Sequence, residues 1–426
     1  MDSVAEVSLY GMCVGCGACA VACSANVITM ERDPETGWLA PTIDSSKCIE
    51  CGLCLAVCPA VNWSNSTQSE KSHPFLGCYL KAYSAFATDD ELRVNAASGG
   101  FVTGILKSLL KNGHIDGAVV SRRIKGDPFK SETILARTPE EIASCKGSIY
   151  SPVCFASVLE QLNRIPEDER WAVVGLPCHI QALALMKEAN PVLAKKVVLS
   201  ISLVCGHVPS HRAYKYSLKR LGLDESRVIG IDNRGDGWPG FLRIELDDGS
   251  VKRVPYGSAL SWGMVLSSPL FTPKACHVCP DPGGYAADIM VCDAWLPRFT
   301  NDQDGVNLVL AKTVYGDSVI QKAQNCGDIH IEDCPIDDFI EANKRVFVAK
   351  TRNHAIAMAY LVGQQADLFH KNIKADETGI GFLVRLRLWF YYIHIKFSES
   401  LNLDRVAVRL PKAFLFYWKF IGLLKR

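Results

Sequence analysis

Apolar residues along the chain fall into short continuous runs, which alternate with longer stretches of helical pattern. Runs at residues 115–120, 171–174 and 197–204 have the length and composition of buried strands. Residues 104–110 predict a helix, and another helix is predicted shortly after the strand at 171–174. The repeated order of strand and helix predicts a mixed α/β region over most of the chain.

The N-terminal region has a different pattern, in which two cysteine-rich runs enclose two short predicted strands at residues 27–30 and 39–43. Both runs have the spacing C-x2-C-x2-C-x3-C. They are Cys13, Cys16, Cys19 and Cys23, followed by Cys48, Cys51, Cys54 and Cys58. This is the spacing of bacterial two-cluster ferredoxins, in which the fourth cysteine of each run ligates the other cluster.

This spacing predicts two [4Fe–4S] clusters. One is assigned to Cys13, Cys16, Cys19 and Cys58, and the other to Cys23, Cys48, Cys51 and Cys54. Gly15, Gly17 and Gly52 permit the tight turns that direct backbone N–H groups toward cluster sulfurs. Disulfides fit this pattern poorly without a signal peptide, and zinc sites use pairs of CxxC instead.

The composition is that of an ordinary globular protein, with 426 residues and a net charge of +1. This charge gives no case for a nucleic-acid partner. The acidic N-terminus is not a signal peptide, and no apolar run reaches the length of a membrane span. We therefore expect a cytoplasmic protein.

A turn at Ser98, Gly99 and Gly100 precedes the predicted helix at residues 104–110. A helix N-terminus presents free N–H groups and the positive end of the helix dipole, so this turn could hold a flavin phosphate. Most Gly-Gly turns have no such role, and the motif alone is weak evidence.

Four further cysteines lie outside the ferredoxin-like region. Cys178 and Cys205 follow predicted strands, and Cys276 and Cys279 form a CxxC pair. From spacing alone, these thiols indicate another metal site, a redox-active pair or buried structural cysteines. His179 and His207 lie near them and are candidates for proton delivery, although the alternative, that they only pack near these thiols, is slightly favoured.

The C-terminal segment changes to a basic and aromatic composition from about residue 381, and again over residues 412–426. This composition is typical of an interfacial helix on an anionic membrane, or of a surface for docking a protein partner. The alternative is a pair of helices packed on the protein itself.

Several of these motifs occur together in the order found in one family. They are the ferredoxin module, residues 97–100, residues 175–178, the CxxC at 276–279 and residues 287–295. In this combination the chain resembles the coenzyme F420 hydrogenase/dehydrogenase beta subunit family, over residues 13–307. Ile149, between Ser148 and Tyr150, replaces a lysine that is usual in the family.

The resemblance implies an FAD near the Ser98–Gly100 turn, with Ser148 and Tyr150 as further cofactor-binding residues. It also implies a third [4Fe–4S] cluster on Cys178, Cys205, Cys276 and Cys279. The expected function is that of an iron–sulfur flavoprotein oxidoreductase, which couples hydride exchange at FAD to single-electron transfer. Coenzyme F420 or another small molecule would be the two-electron partner.

A second hypothesis is a non-catalytic electron-transfer subunit that docks to a partner oxidoreductase, and a third is an iron–sulfur scaffold without flavin. The expected fold is a multidomain α+β or α/β protein. Its predicted divisions are a ferredoxin-like module at 1–62, a linker at 63–76, two family-like domains at 77–165 and 166–345, and a helical tail at 346–426.

Overall fold

The computed structural model describes residues 1–63, 71–124, 126–256, 262–266, 268–299, 301–370 and 381–411. The strands are β1 (Ile28–Arg32), β2 (Leu39–Ile43), β3 (Lys71–His73), β4 (Gly77–Tyr79), β5 (Lys81–Ala87), β6 (Gly117–Ile124), β7 (Asp127–Ala136), β8 (Trp171–Gly175), β9 (Val197–Leu203), β10 (Val228–Gly235), β11 (Phe241–Leu246), β12 (Val251–Pro255), β13 (Ile289–Asp293), β14 (Asn307–Ala311) and β15 (Ile329–Asp333).

The α-helices are α1 (Val4–Leu9), α2 (Ala18–Ala22), α3 (Leu53–Ala56), α4 (Asp90–Asn95), α5 (Phe101–Lys111), α6 (Pro139–Ser144), α7 (Ala156–Arg164), α8 (Pro177–Ala189), α9 (Pro191–Lys196), α10 (His211–Leu221), α11 (Trp262–Leu266), α12 (Lys274–His277), α13 (Val314–Asn325), α14 (Ile336–Ala342), α15 (Lys344–Phe347), α16 (His354–Leu361), α17 (Phe382–Ser400) and α18 (Leu403–Arg409). A π-helical segment, Val348–Arg352, lies between α15 and α16.

An eight-stranded sheet organises the main body, in the order β15-β5-β14-β13-β9-β8-β6-β7. The four strands β13, β9, β8 and β6 run parallel, and the pairs toward both edges are antiparallel. Strands from both sides of residue 165 share this sheet, since β5 lies between β14 and β15. Both parts on either side of the predicted division at residues 165 and 166 therefore contribute strands to one sheet, and the division itself stays a prediction.

Helices cover both faces of this sheet, because alternate residues of each buried strand point in opposite directions. On one face, Phe101 and Ile105 of α5 pack with Ala118 and Val120 of β6. On the other face, the neighbouring Val119 packs with residues of α7 and α8. The arrangement confirms the predicted mixed α/β fold.

The ferredoxin-like module contains α1, α2, α3 and the antiparallel hairpin β1–β2. Within the predicted linker at 63–76, β3 pairs with β4 through the register of Lys71 with Tyr79, and residues 64–70 lie outside the described residues. A separate antiparallel sheet of β10, β11 and β12 lies outside the central sheet.

Helices α16 and α17 pack against the ferredoxin-like module. Ile356 of α16, with Tyr392 and Ile395 of α17, shares a core with Val4 and Val7 of α1. Packing on the protein, which the sequence left open, thus accounts for one face of α17. Residues 412–426 lie outside the described residues. No helix in the described ranges is long and apolar enough to cross a membrane.

Candidate functional site

Two separate groups of thiols lie in the ferredoxin-like module, as the spacing predicts. The charges of Cys13, Cys19 and Cys58 all act on the buried Cys16, so these four thiols lie together. The other four thiols line one small cleft at the far side of the module. They are Cys23, Cys48, Cys51 and Cys54.

The glycines between these cysteines adopt the backbone that the predicted turns require. Gly15, Gly17 and Gly52 have φ values of +71°, +85° and +74°, in the left-handed region. The Gly15 N–H donates a hydrogen bond to Cys13 Sγ at 3.4 Å. The turns therefore direct at least one backbone donor to a thiol, as predicted from the sequence.

The four other predicted ligands come together at one end of the central sheet. Cys178 lies in the first turn of α8, just beyond β8, and Cys205 follows β9. Because β8 and β9 are parallel neighbours, their carboxyl ends bring these thiols close. Cys276 in α12 and Cys279 beyond it complete the wall of a cavity of about 470 Å³.

The electrostatics of this thiol cavity fit a polynuclear iron–sulfur group. Burial, followed by interaction with the other three thiols, raises the pKa of Cys178. Burial also raises the pKa of Cys205 to about 12. Four buried thiolates would repel one another without cations between them, and an iron–sulfur core supplies such cations.

No three or more His, Cys, Asp or Glu side chains in the described part of the chain are grouped so that they could hold a metal ion. A [4Fe–4S] cluster has a different requirement, since it distributes its four thiolate ligands around a cube rather than a single ion.

A second cavity, of about 410 Å³, lies beside the Ser98–Gly100 turn and includes residues from β9 and β13 in its wall. This size is within the range of small-molecule sites. Ser98 and Gly100 line it, together with the predicted cofactor-binding residues Ser148 and Tyr150. The structure thus brings these two separate parts of the sequence together around one space.

Contacts within the protein account for some features of the Ser98–Gly100 turn. The Ser98 hydroxyl donates to Asp293 Oδ1 at 2.7 Å and accepts from Asn307 Nδ2 at 2.8 Å. Gly99 has a φ of +95°, and a Cβ there would lie 2.8 Å from the Gly305 carbonyl oxygen. The close approach at Gly99 is therefore to Gly305, so substitution there would disturb internal packing directly.

Sequence reasoning missed Arg234, which lies near the end of β10. The guanidinium is buried, donates to a carboxylate oxygen of Asp293, and donates to the Ala97 carbonyl at 2.9 Å. Its centre lies 4.6 Å from the Trp238 ring centroid and 5.3 Å from that of Tyr256. These contacts, which no spacing rule predicts, place a cation in the wall of the second cavity.

The two candidate proton-delivery histidines both line the second cavity. His179 stacks on Phe155 with ring centroids 4.4 Å apart, and its Nδ1 accepts from the Leu176 N–H at 3.3 Å. Burial lowers the pKa of His179 to about 4, so the ring is neutral near pH 7. Proton delivery by His179 and His207 stays a prediction.

The two cavities share part of their walls. Leu176, His179 and Cys205 line both the thiol cavity and the second cavity. Cys13 and Trp38 of the ferredoxin-like module line the opposite part of the thiol cavity. The thiol cavity therefore lies between the cluster-binding module and the second cavity.

Backbone hydrogen bonds hold the ferredoxin-like module against this region. The Phe155 N–H donates to the Cys16 carbonyl at 2.9 Å, and the Ala275 N–H donates to the Gly11 carbonyl at 3.1 Å. The second bond connects the CxxC segment to the residues that precede Cys13.

These features are those of an iron–sulfur protein in which the thiol cavity lies between the ferredoxin-like module and the second cavity. The matches to family models agree with this class of protein. Residues 12–62 match the 4Fe-4S dicluster domain. Residues 82–160 match the N-terminal model of the coenzyme F420 hydrogenase/dehydrogenase beta subunit, and residues 168–336 match its C-terminal model. The chain belongs to the coenzyme F420 hydrogenase/dehydrogenase beta subunit family.

Two curated relatives illustrate the range of the family. The chain is 26% identical over 324 residues to one of the subunits of the F(420)H(2) dehydrogenase of Methanosarcina mazei, covering 74% of this chain and 83% of the relative. It is 25% identical over 344 residues to the coenzyme F420-dependent sulfite reductase of Methanocaldococcus jannaschii. That match covers 77% of this chain and 48% of the relative, so the chain spans about half of that protein.

A solved structure supports the fold. A chain of the F420-reducing [NiFe] hydrogenase complex from Methanosarcina barkeri superposes with a TM-score of 0.52 at 22% sequence identity. The match covers 66% of this chain and 92% of that chain. The similarity confirms the expected fold, but it does not assign a role to any residue of this chain.

Proposed function

We propose that this protein is an iron–sulfur flavoprotein oxidoreductase that exchanges electrons between its ferredoxin clusters and coenzyme F420. The observation that carries the proposal is the position of the thiol cavity, which shares Cys13 with the ferredoxin-like module and Cys205 with the second cavity. The two ferredoxin clusters, the proposed third cluster in the thiol cavity and the second cavity would then be neighbours in space, in that order.

The proposed third cluster has four candidate ligands that are partly buried in the wall of one cavity: Cys178, Cys205, Cys276 and Cys279. Their mutual electrostatic interactions support this site, as does the cation Lys350 in the same cavity. All four are free cysteines rather than disulfide partners.

The second cavity is the proposed site of FAD. Bound FAD would supply the exchange of a hydride with a two-electron donor and the exchange of single electrons with clusters. Ser98 and Gly100 would approach the cofactor at the start of α5, and Ser148 and Tyr150 would line its opposite side. Arg234 and Asp293 would fix this wall through their buried ion pair.

The positive charge of Lys146 favours binding of an anionic cofactor in the second cavity. Lys146 is an exposed residue at the cavity wall, three residues before Ile149, which replaces the lysine that is usual in the family. We propose that Lys146 provides the cationic contact for F420, in place of a lysine at 149. The names of both relatives refer to F420, which favours this cofactor as the two-electron partner.

Anaerobic mixing of the purified protein with reduced F420, followed by absorbance of the flavin, tests this function. Rapid flavin bleaching is the expected result. The dissociation constant for F420 should rise roughly tenfold in Lys146→Met but little in Lys146→Arg. Bleaching by dithionite but not by reduced F420 would contradict F420 as the partner. Absence of flavin after gentle anaerobic purification would contradict the flavoprotein.

A second candidate function is that of an electron-transfer subunit without its own substrate. Cys51 is exposed, and the neighbouring Ile49 and Leu53 are 65% and 40% exposed. This apolar surface beside the outer cluster would suit docking of a redox partner or another oxidoreductase subunit. Turnover of reduced F420 by the isolated chain would exclude this alternative.

The outer face of α17 offers a further contact surface. Phe382, Leu383, Phe390 and Phe397 are exposed along it, while Tyr392 and Ile395 are buried against the protein. We propose docking to a partner subunit at this face. Peripheral membrane contact is the other outcome, and binding of the full chain to anionic vesicles would distinguish it.

A further inference from the structure

The thiol cavity contains a buried cation that belongs to a separate part of the chain. Lys350 is 6% exposed and lines this cavity with Cys178, Cys205, Cys276 and Cys279. It lies beyond residue 336, where the match to the family's C-terminal model ends. The segment after the matched region thus contributes a charge to the proposed third cluster.

An unusual piece of backbone presents this lysine. Val348–Arg352 is a π-helix between α15 and α16. Such segments are rare and are frequently associated with functional sites. The flanking helices are fixed by packing, since Phe347 and Ala357 are both fully buried. Lys350 is therefore held in the cavity by ordered structure on both sides.

The largest charge interactions of the Lys350 ammonium are with the four thiols of the cavity. The ammonium therefore lies close enough to the thiols for its charge to act on all four of them.

Other charged groups in the cavity wall have partners elsewhere. The Asp281 carboxylate accepts hydrogen bonds from the N–H groups of Gly283, Gly284 and Tyr285. Arg212 forms ion pairs with Glu35 and Asp404. Lys274 also lines the cavity, and its charge acts on Glu399, whereas the charge of Lys350 acts on all four thiols.

We propose that Lys350 sets the reduction potential of the third cluster by partly neutralising the negative charge of its four thiolate ligands. The inference rests on the proposed third cluster. One-electron reduction of a cluster held by these four thiolates would increase the negative charge of the site by one. Lys350 stabilises the more negative, reduced form more than the oxidised form, and so raises the potential.

Replacement of the charge tests this role. In Lys350→Met we expect the equilibrium constant for reduction of the third cluster to fall at least tenfold, a shift of about 59 mV or more to lower potential for a one-electron couple. Lys350→Arg retains the charge and should stay near the wild-type potential. Lys344→Met, which removes an exposed lysine from α15, is the matched control and should change nothing.

The measurement is a redox titration of the whole anaerobic protein, followed by electron paramagnetic resonance, together with its iron content. A lower potential in Lys350→Met alone supports the role of the charge. Loss of the third cluster in Lys350→Met, with retention in Lys350→Arg, also supports it, because the charge is then needed to hold the thiolates. Loss of this cluster in both variants would overturn it, because shape rather than charge would then matter.

The iron content of the wild-type protein distinguishes a failure of this inference from a failure of the proposed third cluster. Iron for only two clusters in the wild type would overturn the third site, and the role of Lys350 with it. Iron for three clusters, with an unchanged potential in Lys350→Met, would overturn the role of Lys350 alone.

Discussion

At the scale of single residues, Cys178 is the thiol on which the third site depends most directly. It lies at the start of α8, and the charges of all three other thiols in the cavity act on it. Each of the four thiolates supplies one bond to a [4Fe–4S] cluster, so removal of one thiolate leaves one iron atom without its protein ligand.

Cys178→Ser should therefore lose one cluster and retain the two clusters of the ferredoxin-like module. The expected iron content falls by about one third relative to wild type, as measured after anaerobic reconstitution. Cys292→Ser is the matched control, because Cys292 is a buried thiol in the wall of the second cavity only. Equal iron content in wild type and Cys178→Ser would contradict the third site.

Local sequence was sufficient to find residues whose chemistry follows from spacing. The eight ferredoxin cysteines and the turns at Gly15 and Gly17 belong to one short segment, in which the order of residues defines the geometry. Arg234 and Lys350 had no such signal. Each acquires its role from burial against residues that are distant in the chain, and burial of a cation cannot be recognised from its neighbours in sequence.

At the scale of elements, α16 is attached to the ferredoxin-like module through two buried histidines. His354 and His370 have ring centroids 5.3 Å apart, and the His370 N–H donates to the Ala60 carbonyl at 2.8 Å. Burial lowers the pKa of His354 to about 4 and, together with the nearby His354, lowers the pKa of His370 to about 3. Both rings are therefore neutral in the folded protein.

Acid should weaken the fold through this pair. In the unfolded chain each histidine takes up a proton near pH 6.5, whereas in the folded protein it does so only near its lowered pKa. The stability is thus fully present above pH 6.5 and is lost as the pH falls toward 4. Between pH 7 and pH 5 we expect a loss of about 2 kcal/mol for each histidine.

Denaturant unfolding of the anaerobic protein at pH 7 and pH 5 measures this loss. The double variant His354→Phe and His370→Phe should lose less stability over this range, because it lacks both titrating rings but retains the same cysteines. An identical pH dependence in wild type and double variant would contradict the account.

The predicted elements agree with the structure where a strand and its flanking turn form one continuous signal. The strand at β8 and the helix that begins at Pro177 are examples, since an apolar run leads directly into a Pro that suits the first helical turn. The pairing of β5 between β14 and β15 was not predictable. Partners in a sheet depend on long-range packing, which the local pattern does not encode.

At the scale of the whole molecule, the arrangement is a series of adjacent sites. The exposed Cys51 marks one end of the series, and the second cavity beside Ser98 and Gly100 marks the other. The thiol cavity lies between them, and its wall contains Cys13 of the ferredoxin-like module and Cys205, which also lines the second cavity. The family resemblance indicated which cofactors to expect, whereas the proposed order of their sites rests on the shared cavity walls.

The central claim is that electrons pass between F420 and the ferredoxin clusters through the proposed third cluster. The most direct measurement is rapid-freeze electron paramagnetic resonance after mixing reduced F420 with oxidised wild-type protein and with Cys178→Ser. We expect signals of reduced ferredoxin clusters in the wild type, and flavin reduction without those signals on the same timescale in Cys178→Ser. Equally fast reduction of the ferredoxin clusters in both proteins would contradict the claim.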